Sequence, residues 1–429
     1  MTIPRSEHPV SRKQISNGAV KTLYRLHEAG HQACLVGGGV RDILLGIQPK
    51  DFDVATSATP EEVKDLFGRQ CRLIGRRFRL AHVRFGNEIV EVATFRAGHH
   101  EAEGEHQAQL DDSGRILRDN VYGNLEQDAW RRDFTINALY YDIADFSIKD
   151  YVGAMADVEA RRLRLMGDPE ERYREDPVRM IRAMRFMAKL DLGIDPDTEA
   201  PIRRLAPLLA EVPAARMFDE ANKLFMTEQG PAVFELLLKY DLFAELFPNT
   251  VAALAQADES QGYALIRAAL QGTANRIADD KPVTPAFLYA AFLWPAVRVL
   301  ASRDNRNPAI AMQEAASRIT AEQQMRISIP KRFGIPMREI WLLQRRFEQR
   351  RGKRPYSLLG HPRFRAAYDF LLLRAQVGEV EAELAQWWTD FQASDDGAQA
   401  QMAANAPGGG GPRKRRRRRR KPAAKSSQS

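Results

Sequence analysis

Along the first 150 residues, apolar positions switch repeatedly between helical and strand spacing. Ile15, Ala19, Leu23 and Leu26 recur at helical intervals and predict a helix over about 15 to 29, ended by Gly30. Ala33 to Val36 reads as a strand, Val40 to Leu45 as a short helix closed by Gly46, and Asp51 to Val54 as a second strand. Thr59-Pro60-Glu61-Glu62 carries an N-cap, a proline at the first helical position and a capping-box glutamate, which start a helix toward Phe67. Arg79 to Phe85, the pair Gly86-Asn87, and Glu88 to Phe95 predict a hairpin. Beyond residue 160 the pattern is helical, broken by prolines, to about residue 395. The expected fold class is therefore α+β: one lobe built on a mixed β-sheet, followed by an elongated all-α remainder with no internal repeat.

The 429 residues are 44% apolar and 28% charged, the balance of a globular chain, and no apolar run reads as long enough to span a bilayer. The amino terminus lacks the apolar stretch of a signal peptide. Cys34 and Cys71 stand far apart in sequence, which argues against a disulfide framework or a cysteine zinc site and for a reducing, cytoplasmic setting. The formal charge is +8, but Arg413 to Lys421 is an unbroken run of nine positive residues, and subtracting it leaves −1 for the rest. So dense a block reads as a nucleic-acid-binding arm rather than a solubilising or targeting tail, joined through the flexible stretch from Ala403 to Pro412.

Chemistry concentrates where Leu35-Val36-Gly37-Gly38-Gly39-Val40-Arg41-Asp42 precedes Asp51-Phe52-Asp53. On a strand the two carboxylates project to one side while Phe52 and Val54 enter a core. Two hard oxygen ligands suit Mg²⁺, which takes one or two carboxylates together with substrate phosphates. Glycines let the backbone approach a phosphate, and a helix start with Arg41 adds positive field. These residues together read as a site for a nucleoside triphosphate on metal.

A second cluster, Arg131-Arg132-Asp133-Phe134-Thr135-Ile136-Asn137, offers Asp133 as a third acid or sugar ligand, Arg132 for a triphosphate and Asn137 for a ribose hydroxyl. Its alternative is a surface helix start capped by Asp133. Glu91 competes for the third-acid role, because it shares a strand face with Ile89 and Ala93. In Glu175-Asp176-Pro177-Val178-Arg179, Asp176 reads as an N-cap, and Arg179, Arg182 and Arg185 form a basic stripe. That stripe is either solvated charge or, with Asp176, a reader of a base edge. Leu73 to Val83 sets arginines around Phe78 like a phosphate-binding strand edge with one stacking ring. The histidines and acids between Gly98 and Asp119 read as a solvated loop rather than a metal site.

The glycine run with Asp51-Phe52-Asp53, then Arg131 to Asn137, then Glu175 to Arg179, stand in the order found in class II template-independent nucleotidyltransferases, which include CCA-adding enzymes and bacterial poly(A) polymerases. The chain resembles the poly(A) polymerase branch from about Ser11 to Phe391. Leu73 to Val83 looks like that branch's signature, Ile329 to Arg332 and Gly360 to Asp369 look like its C-terminal body, and no His-Asp dipeptide marks a phosphohydrolase module. The resemblance implies a nucleotidyltransferase head over 1–155, a neck over 156–230, an all-helical RNA-binding body over 231–395 and a disordered arginine-rich tail over 396–429.

It further implies that Asp51, Asp53 and Asp133 are catalytic, with Mg²⁺ on Asp51 and Asp53. Gly38, Arg41, Arg132, Asp176, Arg179, Arg182 and Arg185 would hold ATP, and the partner would be an RNA 3′ end. A CCA-adding enzyme is the runner-up, and a non-catalytic RNA-binding protein is the reading from another class. Basic stretches of the body such as Arg345-Arg346 read either as an RNA track or as solvated faces.

Overall fold

The computed structural model describes residues 1–75, 79–97, 122–256 and 259–407, and the backbone alone of 109–110 and 116–118. The basic run Arg413–Lys421, the strand-edge residues 76–78 and most of the histidine-rich segment lie outside the described residues. The chain divides into two compact units. One comprises Met1–Val251, Leu270–Val283 and Gln323–Ser328, and the other the remainder.

The first unit is built on an eight-stranded sheet whose spatial order is Thr2–Ile3, Ile148–Asp150, Leu139–Asp142, Ala33–Val36, Asp53–Thr56, Glu88–Thr94, Leu80–Phe85 and Cys71–Ile74. Asp53–Thr56 pairs in parallel with Glu88–Thr94, and its other pairing, to Ala33–Val36, is antiparallel. One face of the sheet packs on the helices Asn17–Glu28 and Pro60–Phe67, burying Leu23, Leu26, Val63, Phe67, Val54, Val83, Val90 and Val92. Ser16 caps the first of these helices, and Thr59 with Glu62 forms the expected capping box on the second.

The strand expected from Asp51 begins instead at Asp53, because Asp51 and Phe52 extend beyond the last residue that the neighbouring strand can pair, Val36. Asp51 and Asp53 are nonetheless both exposed and flank the half-buried Phe52, as extended backbone requires. Helices follow, among them Val178–Leu190 and Ala214–Phe225, with one two-residue parallel strand pair, Arg162–Leu163 with Gly193–Ile194.

In the second unit the helices Lys331–Phe347, Phe364–Gln376, Ala382–Ala393 and Asp396–Asn405 enclose a core of Leu343, Phe347, Leu358, Phe364, Trp388 and Phe391. Asp396–Asn405 falls where a disordered tail was expected; Asp395 caps it and Ala403 is buried in that core. The chain also holds an apolar helix that the pattern reading passed over. Pro285–Ser302 has the length and composition of a membrane span at mean hydropathy 1.3, but 61% of it is buried among its neighbours, and Trp341 Nε1 donates to the carbonyl of its Ala290 at 3.0 Å. The buried run is continuous because this is a central helix of the unit. Both cysteines are free and buried.

Candidate active site

The site lies in the first unit, where the strand Ala33–Val36 turns at Gly37 into the helix Gly38–Leu44. Gly37 has φ 68° and ψ −129°, a conformation that side chains with a Cβ avoid. A methyl group there would sit 3.6 Å from Nη1 of Arg132 and 3.9 Å from Oδ2 of Asp53, so the glycine lets backbone, guanidinium and carboxylate converge.

Asp53 is directly in register with Glu91 on the parallel strand, which puts both side chains on one face of the sheet. Asp53 is open to solvent yet set among protein groups, and its pKa is raised to about 6. Desolvation is the largest cause, followed by the negative charge of Glu91, with Asp51 adding to it and Arg132 opposing. Among the described residues the Asp53 carboxylate accepts no hydrogen bond, and the Glu91 carboxylate has only the His82 ring beside it, Nε2 lying 3.3 Å from Oε1 without a hydrogen bond. Acids that converge on one carboxylate and push its pKa up have the character of a divalent-cation site. Among the described residues no three His, Cys, Asp or Glu side chains close on a single point, so the protein would supply part of a coordination shell and the phosphates the rest.

Arg132 is held by three contacts. Nε donates to Tyr140 Oη at 2.8 Å, Nη2 donates to Asp128 Oδ2 at 3.0 Å, and its carbonyl accepts from Arg172 Nη2 at 2.8 Å. Burial disfavours its charge, but Tyr140 and Asp128 outweigh burial and raise its pKa above the ordinary arginine value. Nη1, the nitrogen facing Gly37, has no partner among the described residues. The fixed fork therefore presents one charged donor to the space between the glycine turn and Asp53.

Asp133 points elsewhere. Its Oδ1 accepts from Asn137 Nδ2 at 3.0 Å and its own neighbour's amide, Phe134, at 2.9 Å, while Oδ2 accepts from Arg182 Nε at 2.9 Å. Burial would raise its pKa, but Arg182, Asn137 and the Phe134 amide hold it down at about 2. Asn137 Oδ1 in turn accepts from Arg41 Nη1 at 2.6 Å, and Arg41 Nε donates to Asp42 Oδ1 at 2.8 Å. Asp42 Oδ2 lies 3.5 Å from Lys189 Nζ. A polar relay thus runs Asp42, Arg41, Asn137, Asp133, Arg182, and returns to the same helix, Val178–Leu190, through Lys189.

On that helix, expected to be capped by Asp176, the cap is Pro177; Asp176 is one residue further out in extended backbone. Its Oδ2 accepts from Arg216 Nη2 at 2.7 Å, and its Oδ1 is buried without a partner among the described residues. Arg179 Nη1 donates to Glu175 Oε2 at 2.8 Å. The Nε atoms of Arg172 and Arg185 are likewise buried and without partners among the described residues. Both arginines have lowered pKa values, chiefly through burial and then through the neighbouring Arg179 and Arg182 respectively. Arg172 and Arg179 share the single carboxylate of Glu175, at 2.7 and 2.8 Å from its Oε2, and Arg185 has no ion pair among the described residues, so guanidinium outnumbers carboxylate here, a balance that complements a polyphosphate.

The structure thus brings Asp51, Asp53, Gly38 and Arg132 to one place with Glu91. It sets Asp133, Arg41 and Arg182 in the relay, Arg179 and Arg185 on the helix Val178–Leu190, and Asp176 just before that helix. Sequence reasoning missed Asp128, Tyr140, Arg172, Lys189 and Arg216. The four-residue spacing of Asp128 and Arg132 was one available signal.

Three family models match the chain: "Poly A polymerase head domain" over 33–164, "Probable RNA and SrmB-binding site of polymerase A" over 191–254, and "Polymerase A arginine-rich C-terminus" over 304–422. Poly(A) polymerase I of Salmonella typhimurium is 50% identical over 408 residues, 93% of this chain and 87% of that one. The CCA-adding enzyme of Bacillus subtilis is 36% identical over 228 residues, 53% of this chain and 55% of that one. Among solved structures, a tRNA nucleotidyltransferase complexed with a primer tRNA and an incoming ATP analog superposes with a TM-score of 0.57 at 22% identity, covering 87% of this chain and 98% of that one. At that identity the likeness is one of fold. Shared sequence over nine-tenths of its length, together with a matching head domain, makes this chain a member of the bacterial poly(A) polymerase family of template-independent nucleotidyltransferases.

Proposed function

We infer that this chain adds AMP from ATP to RNA 3′ ends without a template, releasing pyrophosphate. The observation that carries the reading is the meeting of Gly37, the Asp53 carboxylate and Nη1 of Arg132, which has no partner among the described residues. In the transfer, the RNA 3′-oxygen bonds to the α-phosphorus as the bond from that phosphorus to the α–β bridging oxygen breaks, and the hydroxyl proton leaves to solvent.

Asp51 and Asp53 would hold Mg²⁺, with Glu91 as the third acid in reach. When bound, the cation would lower the pKa of the attacking hydroxyl and offset charge on pyrophosphate. The backbone of Gly37 and Gly38 has room for phosphate oxygens, and Arg132 would donate Nη1 to them. Arg41 and Arg182 are committed to Asp42, Asn137 and Asp133, which supports a positioning role for both and for Asp133 rather than contact with the triphosphate. Asp176, whose Oδ1 is buried without a partner among the described residues, and Arg179, three residues along, are suited to reading the edge of adenine; Arg185, with no ion pair among the described residues, complements the triphosphate.

The deciding experiment incubates the purified chain with a generic single-stranded RNA, Mg²⁺ and each nucleoside triphosphate separately. Long tracts from ATP alone are expected. Additions that need CTP and stop after three nucleotides would instead assign the chain to CCA addition.

A further inference from the structure

Register extends the row of side chains beyond the two acids. Asp53 is opposite Glu91, Glu91 opposite His82, and His82 opposite Arg72, so these four lie on one face of four adjacent strands. Arg84 and Ile89, directly paired with each other, share that face. The alternate residues Val90, Val92, Ala81, Val83 and Cys71 are buried on the other. The row's own face is open: Asp53, Arg72, Arg84 and Glu91 are exposed, and Ile89 keeps 52% of its surface. Among the described residues Arg72 has no ion pair, and Arg84 uses only Nε, donating to the Gly86 carbonyl at 2.9 Å. At a strand spacing of about 4.8 Å, the row spans roughly 14 Å from Asp53 to Arg72.

The order across the sheet gives the row a direction. The glycine turn and Arg132 lie on one side of Asp53, and Glu91, His82 and Arg72 lie on the other. An in-line displacement requires the nucleophile opposite the leaving pyrophosphate. Pyrophosphate belongs with the glycines and Arg132, so the hydroxyl must approach from the Glu91 side. We propose that the open sheet face carrying Ile89, Arg72 and Arg84 is the track on which the terminal nucleotides of single-stranded RNA lie, the two arginines contacting phosphates and Ile89 the apolar surface of a base. The occupant is single-stranded RNA because the positive charge begins one strand beyond the acids and is continuous with the point where the 3′-hydroxyl must arrive. This inference rests on the catalytic reading above for the position of the 3′ end.

The test uses the full chain and a short oligoadenylate. RNA affinity is measured without ATP over a range of salt, and KM for RNA and for ATP are measured separately in extension assays. Arg72→Gln and Arg84→Gln should each raise RNA KM roughly tenfold and lower the salt slope by about 0.7, the value for one phosphate contact on a single strand, leaving ATP KM within about twofold. Arg25→Gln, on the helix packed against the opposite face, removes the same charge and should change neither. The proposal falls if the double variant keeps the parent's RNA KM and salt slope, if ATP KM rises in parallel, or if Arg25→Gln has an equal effect. A parent that fails to extend RNA yet shows the slope changes would sink the catalytic reading and leave the track standing.

Discussion

Arg182 Nε donates to Oδ2 of Asp133 across 2.9 Å, tying the helix Val178–Leu190 to the segment that carries Arg132. Both side chains are mostly buried, so removing one strands the other's charge. Arg182→Ala should destabilise the chain by about 3 kcal/mol. It should also lower kcat more than it raises KM for RNA, because the relay orients the nucleotide site rather than the primer. Urea titration and initial rates read both effects, and full stability in the variant would refute the relay as a structural tie.

Asp53 gives a pH dependence of defined sign. Its folded pKa of about 6 lies above the ordinary 3.8, so between those values the folded chain binds more protons than the unfolded one. Stability of the metal-free protein attributable to this group should therefore fall as pH rises from about 4 to about 6 and level off above. Asp53→Asn removes that dependence. In EDTA its melting temperature should exceed the parent's increasingly across this window, even as nucleotide incorporation is lost. Identical melting profiles for the two proteins would contradict the raised pKa.

A second consequence of the same group concerns Mg²⁺. A proton on Asp53 competes with the cation, so the Mg²⁺ concentration needed for half-maximal activity should climb as pH drops below about 6. A constant requirement between pH 5 and 8 would place the cation elsewhere.

Gly37→Ala forces a Cβ into backbone at φ 68°, ψ −129° and toward Nη1 of Arg132 and Oδ2 of Asp53. The strain is about 1–3 kcal/mol. The larger effect should be functional: KM for ATP should rise by at least tenfold while RNA affinity measured without nucleotide is unchanged. Equal losses of both would mean that the turn supports the fold rather than the nucleotide.

Arg179→Ala should reduce discrimination between ATP and CTP by about fivefold or more, fivefold being the low end of one bidentate base contact. Relative rates for the two nucleotides report it, and an unchanged ratio would remove Arg179 from base reading.

Several local signals were legible where a residue acts on its own neighbours in sequence, although the cap expected at Asp176 falls at Pro177. Thr59 with Glu62, Gly30 and Gly46 at positive φ, and the Ala33–Val36 strand all appear as the pattern predicts. Asp51 and Asp53 could be put on one side of the backbone from alternation alone. The partner strand could not, because the Asp53–Glu91 register is a parallel pairing made through a long crossover, and period-two spacing is silent about neighbours. Arg41 shows the other limit. Its position after three glycines reads as a phosphate contact, but its guanidinium turns inward to Asp42 and Asn137, the latter 96 residues away. Only the folded chain reveals that competition.

The helix Val178–Leu190 divides its labour by position. Its first turn holds Arg179 beside Asp176, whereas Arg182 and Lys189, two turns apart on one side, grip Asp133 and Asp42. Mutational drift at the amino-terminal end can thus retune which nucleotide is accepted while the grip stays intact. Change at the grip itself must disturb every substrate alike.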